Sequence, residues 1–251
     1  HAPHGGAHRG HAAQRHARRL PARGLGLARD YQRVIDVLVR FFRHLNDGDY
    51  ESLAGLLDGE WHHVALTFDS SVDSFNVIVD GQAGTAGSRT FSGASGDLTF
   101  GSSTSGLGLV GDFDEVRVWN TLRSVEDIQM SRNTTVDPSG PLLTGYWRAD
   151  EGAGTVLTDL TGNGYDTTVP AGAFQTDEVS ALPVSHTGRT SLNFADASAS
   201  IVDFGTVTLS NDAFAFTLWA QVSESGTENR LFELNDGFGA GSNLFEFSVS
   251  G

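Results

Sequence analysis

Short stretches in which apolar and polar residues alternate dominate the chain from Glu60 onward. Residues 61–68 are rich in apolar and β-branched side chains, and Phe75, Val77 and Val79 recur at every second position. The Asp80-Gly81 pair that follows predicts a two-residue hairpin turn of the primed type. The same pattern predicts further strands at residues 98–101, 113–119, 142–148, 191–194, 200–209, 213–223, 230–234 and 243–250. Short strands at this spacing predict an all-β sandwich or barrel.

Helical periodicity is confined to two places. Apolar residues from Tyr31 to Leu45 recur at helical spacing after a potential N-cap at Asp30, so residues 30–58 are predicted to form an amphipathic helical segment. Ser124 followed by Asp127 resembles an acidic capping box, which predicts a short second helix among the strands. Residues 1–29 are rich in His, Arg, Ala and Gly without apolar periodicity, and are predicted to be a disordered tail.

The negative net charge of the chain limits the classes of partner that it can bind. The chain of 251 residues has a net charge of −15, and residues 59–251 carry seven arginines against 25 acidic residues, which leaves −18 there. A surface this acidic repels nucleic acid and anionic membranes, so neither is an expected partner. The chain has no cysteine, and no apolar run approaches the roughly 20 residues that span a bilayer.

Four groups of residues carry a family resemblance. The run 59–68 contains Trp61-His62-His63, and residues 79–82 follow it as a hairpin; the run 111–120, with 122–124 behind it, ends in Trp119-Asn120. Residues 143–169 contain Gly145-Tyr146-Trp147 and Gly162-Asn163-Gly164. Together these motifs resemble the LamG-like (concanavalin A-like lectin/glucanase) family, which implies an antiparallel jelly-roll β-sandwich. Residues 31–58 show a weaker resemblance, to the first helices of nuclear-transport-factor-like domains.

The order of these motifs differs from the order in the family. Residues 59–135 resemble the C-terminal half of a module, and residues 142–251 resemble the N-terminal half of a second module, joined by a linker at 136–141 that contains two prolines. A half-module alone would leave open sheet edges and an uncovered apolar face. We therefore predict that 59–251 forms one circularly permuted sandwich, and the alternative is two half-modules that each need further sequence.

Related folds include glucanases, which place carboxylates at positions i, i+2 and i+4 on one face of a strand. The corresponding residues here are Asp112, Asp114 and Val116, so the third acid is absent, and simple alternation places Glu115 on the opposite face. Two carboxyl groups on one face can reach the roughly 5 Å that a retaining glycosidase needs. Without the third acid, the sequence favours a protein that is not an enzyme.

The resemblance also implies calcium, which such domains often bind through loop carboxylates and carbonyls. Calcium takes roughly six to eight oxygen ligands. The loop 159–166 offers Asp159, Asn163 and Asp166 as metal ligands, and Asp114 joins them if the two halves meet. The alternative is that Asp159 and Asn163 only shape a turn through hydrogen bonds to the backbone.

Histidine and tryptophan side chains give two further expectations. His62 and His63 are neighbours on a strand and face opposite sides, so they are expected to serve the scaffold and not one metal ion. The four tryptophans lie in predicted strands and are expected in the core more than on a sugar-binding surface: Trp61, Trp119, Trp147 and Trp219.

The resemblance implies a non-catalytic, lectin-like module of a larger extracellular or cell-surface protein, which recognises glycans or cell-surface proteins. Two alternatives remain open at this point. The chain could be a structural or protein–protein interaction spacer, or, less favoured, a polysaccharide-degrading glycoside hydrolase. Fold alone does not decide between them, and the sequence leaves the oligomeric state open.

Overall fold

A computed structural model describes residues 58–84, 86–88, 95–100, 110–176, 190–194, 202–209, 212–222, 229–235 and 243–249. Within these ranges the chain forms fifteen strands and one helix. The strands are β1 Trp61–Asp69, β2 Ser74–Val79, β3 Gln82–Ala83, β4 Gly87–Ser88, β5 Ser95–Phe100, β6 Gly111–Trp119, β7 Leu143–Trp147, β8 Val156–Leu157, β9 Thr167–Thr168, β10 Phe174–Thr176, β11 Thr190–Phe194, β12 Val202–Thr208, β13 Ala213–Val222, β14 Asn229–Asn235 and β15 Asn243–Val249. The helix, α1, is Val125–Ser131.

The strands form one large antiparallel sheet, one smaller sheet, and a separate antiparallel pair made of β8 and β9. The large sheet runs β10-β11-β6-β13-β1-β2-β3, with β7 paired to β6 and β4 paired to β2, and the smaller sheet runs β12-β5-β14-β15. At the centre of the large sheet, β13 pairs with β1 over nine residues, from Trp61 opposite Gln221 to Asp69 opposite Ala213, and its other edge pairs with β6. In this sheet β13, from the segment 142–251, therefore lies between β6 and β1, which come from the segment 59–135.

A single apolar core lies between the two sheets. Val64, Val116 and Phe216 from the large sheet belong to the same buried cluster as Leu98 and Phe100 from the smaller sheet. The ring of Phe100 packs edge-to-face on Phe113, with 5.7 Å between ring centroids. The fold is thus the predicted all-β, two-layer antiparallel sandwich of the jelly-roll class.

The outer face of the large sheet is covered by α1. The helix begins with the predicted capping box, in which the Ser124 side chain accepts from the Asp127 N–H and Asp127 accepts from the Ser124 N–H. Ile128 is buried against Ala65 and Ile78, and Gln129 Nε2 donates to the Gly81 carbonyl at 2.5 Å. These contacts fix the helix over the β1–β2 edge, so both faces of this part of the sheet are buried.

A β-bulge interrupts the regular alternation of β6. Thr217 pairs with Arg117 and Trp219 pairs with Asp114, so two β6 residues, Glu115 and Val116, lie opposite Leu218. Glu115 has a φ of 54°, the left-handed conformation that such bulges use. Val116 consequently joins Phe113 in the core, and the expectation that Asp112, Asp114 and Val116 share one face is wrong because the bulge inserts one residue.

The predicted strand series is confirmed where the structure describes it, with bounds that shift by a few residues at most ends. Asp80 and Gly81 have φ values of 51° and 79°, as the predicted primed turn between β2 and β3 requires. The tail 1–29 and nearly all of the helical segment 30–58 lie outside the described residues. The division into two half-modules stays a prediction.

Candidate functional site

An open polar groove of about 550 Å³ lies where the linker between α1 and β7, the loop after β8 and the end of β12 meet. Six neutral polar residues line it: Asn120, Ser139, Thr144, Thr161, Asn163 and Thr208. The rest of its wall is Pro138, Gly140, Leu142, Leu143 and Tyr165. Hydroxyl and amide groups beside one aromatic ring are the groups that hold and orient a polar organic ligand.

Asp159 organises the loop that forms one wall of this groove. Its side chain is buried and accepts hydrogen bonds from the backbone N–H groups of Tyr146 at 3.2 Å, Thr161 at 3.0 Å and Tyr165 at 3.3 Å. The Thr161 hydroxyl lies 2.7 Å from Oδ1 of the same carboxylate. Four donors thus surround this carboxylate, an arrangement that supports the turn-shaping role for Asp159.

Asn163 and Asp166 complete the loop. Asn163 Nδ2 donates to the Thr144 carbonyl at 2.9 Å, which joins the loop to β7. Asp166 Oδ1 accepts from the Asp159 N–H at 2.8 Å, while the residue itself is exposed. Both side chains therefore brace the turn, and Asp166 keeps its charge at the surface. Calcium binding at this loop stays a prediction.

Asp114, the fourth predicted metal ligand, lies in a different place. It is buried beside the bulge of β6, where its Oδ1 accepts from the Glu115 N–H at 2.7 Å. Among the residues that the structure describes, no group of three His, Cys, Asp or Glu side chains is placed to hold a metal ion. The structure brings Asp159, Asn163 and Asp166 together in one loop, and it does not bring Asp114 into a cluster with the two loop carboxylates.

Leu142 forms an apolar lip on the groove. Its side chain is 58% exposed and its φ is 69°, a left-handed conformation that branched residues rarely adopt. The Asn120 N–H donates to the Leu142 carbonyl at 2.8 Å, and the Asn120 amide donates to the Thr208 carbonyl at 3.1 Å. Asn120 thereby links Leu142 to Thr208 and helps to hold Leu142 in its strained conformation.

A buried ionic network lies beneath the outer face of the large sheet. Glu115 Oε2 accepts from Arg117 Nη2 and from the Tyr146 hydroxyl, each at 2.6 Å, and Oε1 accepts from Arg148 Nε at 3.1 Å. Arg117 also donates to the carbonyls of Ser131, the last residue of α1, and of Thr134, which follows the helix. Burial, aided by the nearby Glu115 charge, raises the pKa of Tyr146, so this hydroxyl stays protonated as a donor.

Sequence reasoning missed this network. Its signal was the oppositely charged pair Glu115 and Arg117 in a strand predicted to be part of the sandwich, because buried charges persist only when they are paired. Asp112, the other acid considered for catalysis, accepts from Ser191 Oγ at 3.2 Å and Asn193 Nδ2 at 3.0 Å. Asp112 is therefore engaged with the neighbouring strand β11.

The two adjacent histidines have opposite environments. His62 Nδ1 lies 2.8 Å from Asp80 Oδ2 and its Nε2 lies 3.0 Å from Asp58 Oδ1, and the hydrogen bond with Asp80 is the main cause that raises its pKa to about 9. His63 is buried edge-on against the Trp219 ring, and burial lowers its pKa to about 3. They serve the scaffold separately, as the sequence predicted.

Tryptophan placement also agrees with the sequence. Trp61, Trp119, Trp147 and Trp219 are all buried, so none presents an exposed platform to a ligand.

The helix that the structure describes is too short and too polar to cross a bilayer.

The two sheets and the apolar core between them define an antiparallel β-sandwich of the jelly-roll class. Residues 36–129 match the protein-family model described as the concanavalin A-like lectin/glucanases superfamily, of the laminin G type. The match spans β1 to β6 and enters α1, so this segment is similar to that superfamily. Searches of curated proteins and of solved structures gave no match.

Proposed function

We propose that this protein is a non-catalytic, lectin-like recognition module that binds glycans in the groove beside the loop 159–166. The observation that carries the proposal is the lining of the groove, in which six neutral hydroxyl or amide side chains surround an open volume of about 550 Å³. Sugars present many hydroxyl groups, and each can exchange hydrogen bonds with such side chains. The superfamily supports this assignment at the level of fold.

Binding without catalysis is supported by the state of the acidic residues. Glycoside hydrolysis needs two carboxyl groups that flank the scissile bond. Asp114 and Glu115 are buried, and Glu115 is held by Arg117, Tyr146 and Arg148. None of the groove-lining residues that the structure describes carries a carboxylate. We therefore propose that the carboxylates of β6 stabilise the fold.

An extracellular or cell-surface location is the second part of the proposal. The superfamily match supports it, because laminin G-type domains are typically found there. The strongly acidic segment 59–251 also keeps such a module away from anionic membranes and nucleic acid. The partners in this setting are glycans of glycoproteins or of matrix polysaccharides.

A glycan array with the full chain tests the proposal. The wild type is expected to bind a defined set of glycans, and Thr208→Val is expected to weaken that binding because it removes a hydroxyl from the groove wall. Thr168→Val is the matched control, since Thr168 is an exposed strand threonine outside the groove. Equal binding by both variants would place the sugar elsewhere.

The alternative functions give different results in the same experiment. A spacer or protein-adhesion module binds no sugar on the array at any concentration. A hydrolase releases reducing ends from a polysaccharide and loses that activity in Asp114→Asn. Either result would overturn the proposed function.

A further inference from the structure

We propose that the groove selects neutral glycans and rejects sulfated or sialylated ones, with the Leu142 side chain packing on the apolar face of one sugar ring. This inference rests on the proposed function, because it names the class of glycan that the same groove accepts.

The first argument is the absence of charge in the lining of the groove. Among the described residues that line it, the side chains are hydroxyls, amides and apolar groups, with neither an Arg nor a carboxylate. Recognition of sulfate or carboxylate depends on Arg or Lys, which form charge-assisted hydrogen bonds with the anion. A neutral lining offers a charged glycan nothing to offset the desolvation of its anionic groups.

The second argument concerns the arginines, because the chain has no lysine. Arg117 and Arg148 pair with Glu115, and Arg148 also pairs with Asp150 at 2.7 Å. Arg132 donates to the Asp80 carbonyl, and the Arg123 guanidinium lies 4.5 Å from the centroid of the Trp119 ring. These four arginines therefore each have a partner within the protein.

The third argument is a negative charge at the rim. Asp137 is exposed and precedes Pro138 and Ser139 of the groove wall, and its Oδ1 accepts from the Ser139 hydroxyl at 2.7 Å and the Ser139 N–H at 2.9 Å. The hydroxyl bond is the main cause that lowers the pKa of Asp137, so the carboxylate is charged at neutral pH. A like charge within a Debye length repels an anionic ligand.

The fourth argument is the lip itself. Leu142 combines an exposed apolar side chain with a left-handed backbone, and neither property stabilises the free protein. A pyranose ring has a face of C–H groups that can cover an apolar side chain while its hydroxyls reach polar neighbours. Leu142 lies on the same groove as Thr144 and Asn163, so one ring can contact both kinds of surface.

The experiment compares matched glycan pairs that differ only in a sulfate or sialic acid, using the full chain in EDTA, so that no calcium ion at the loop 159–166 adds positive charge beside the groove. We expect the charged member to bind about tenfold more weakly at low salt. This difference is expected to shrink as added salt screens the repulsion between Asp137 and the anionic glycan. Asp137→Asn keeps an acceptor for Ser139 and removes the charge, so it is expected to reduce the difference. Glu126→Gln, an exposed change on α1, is the control and is expected to change nothing.

Leu142→Gly tests the lip. Glycine tolerates the left-handed conformation, so the variant is expected to melt at a higher temperature than the wild type and still bind the neutral glycan more weakly. Met130→Ala, which shortens a side chain on α1 that is even more exposed than Leu142, is expected to leave binding unchanged.

Preference for the sulfated or sialylated member would overturn the neutral selectivity and leave the proposed function standing. Unchanged binding by Leu142→Gly would overturn the role of the lip. Failure of the wild type to bind either member of every pair would overturn the proposed function, and this inference with it.

Discussion

The hydroxyl of Tyr146 lies 2.6 Å from Glu115 Oε2, and both side chains are buried in the layer between the large sheet and the segment that follows α1. The same carboxylate binds Arg117, which is only 2% exposed. Charges buried this deeply are costly unless every member of the network stays paired.

Glu115→Gln is therefore expected to destabilise the fold strongly. It leaves the Arg117 guanidinium buried without its anion, which costs roughly 3–5 kcal/mol in free energy of unfolding. Tyr146→Phe removes one hydrogen bond to a charged group and is expected to cost about 1.5–3 kcal/mol. Urea unfolding followed by circular dichroism measures both values, with Glu126→Gln as an exposed control. A cost below about 1 kcal/mol for Glu115→Gln would contradict the importance of the network.

The two histidines predict how stability depends on pH. The pKa of His62 is raised to about 9, so its contribution to the free energy of unfolding is complete below pH 6.5. This contribution is lost as the pH rises through about 9. The pKa of His63 is lowered to about 3, so its contribution is complete above pH 6.5 and is lost as the pH falls toward 3. Together these groups place maximum stability near pH 6.5.

Two variants separate these effects. His62→Gln is expected to flatten the decline between pH 6.5 and 9, and His63→Leu is expected to flatten the decline between pH 6.5 and 4. Melting temperatures measured across this range check both. The Asp80 carboxylate gives a further, more acidic effect. Burial alone would raise its pKa, but the hydrogen bonds from His62 and the His63 N–H hold it below its usual value, so its contribution is lost only at lower pH.

Thr217 gives a test of an unpaired polar atom. Its hydroxyl is buried without a hydrogen-bond partner, in register between Ala65 and Arg117. Thr217→Val keeps the shape and removes the unpaired group, so the free energy of unfolding is expected to stay unchanged or to rise by about 1 kcal/mol. The comparison variant is Thr190→Val, whose hydroxyl donates to the Ala149 carbonyl and whose loss is expected to destabilise. A marked loss of stability in Thr217→Val would indicate a buried water bridging this hydroxyl.

Calcium gives the last prediction. We propose that calcium at the loop 159–166 binds through the exposed Asp166 and the Asn163 oxygen, while Asp159 holds the turn. Millimolar calcium is then expected to raise the melting temperature, because a ligand that binds only the folded state stabilises it. Asp166→Asn is expected to abolish this rise and Asp114→Asn to leave it. An identical melting curve in calcium and in EDTA would leave only the turn-shaping role.

Much of the fold followed from local pattern. The apolar and β-branched content of 61–68 predicted β1, the strand pattern of 213–223 predicted β13, and the dipeptide Asp80-Gly81 predicted the hairpin, because these signals depend on neighbouring residues alone. The bulge at Glu115 escaped prediction, since it appears only when β13 sets the register of β6. Because the bulge at Glu115 was not predicted, Val116 was assigned to the same face as Asp114, whereas it faces the core.

The candidate site was predicted only in part. The loop 159–166 was singled out from its Asp, Asn and Gly residues, and it does form one wall of the groove. Asn120, Leu142 and Thr208 were not predicted, because they come from segments far apart in sequence that meet only in the folded protein. The strained φ of Leu142 has no sequence signature at all, since leucine is a poor residue for that conformation.

The position of β13 has a consequence for biosynthesis. Its partners β1 and β6 are translated long before it, yet neither can complete its pairing until Val222 has left the ribosome. Until then β1 and β6 can pair only on their other edges, with β2 and β7, and this dependence on a distant strand is expected to slow the final assembly. Insertion of β13 between β1 and β6 then joins the two earlier strands at the centre of the sheet.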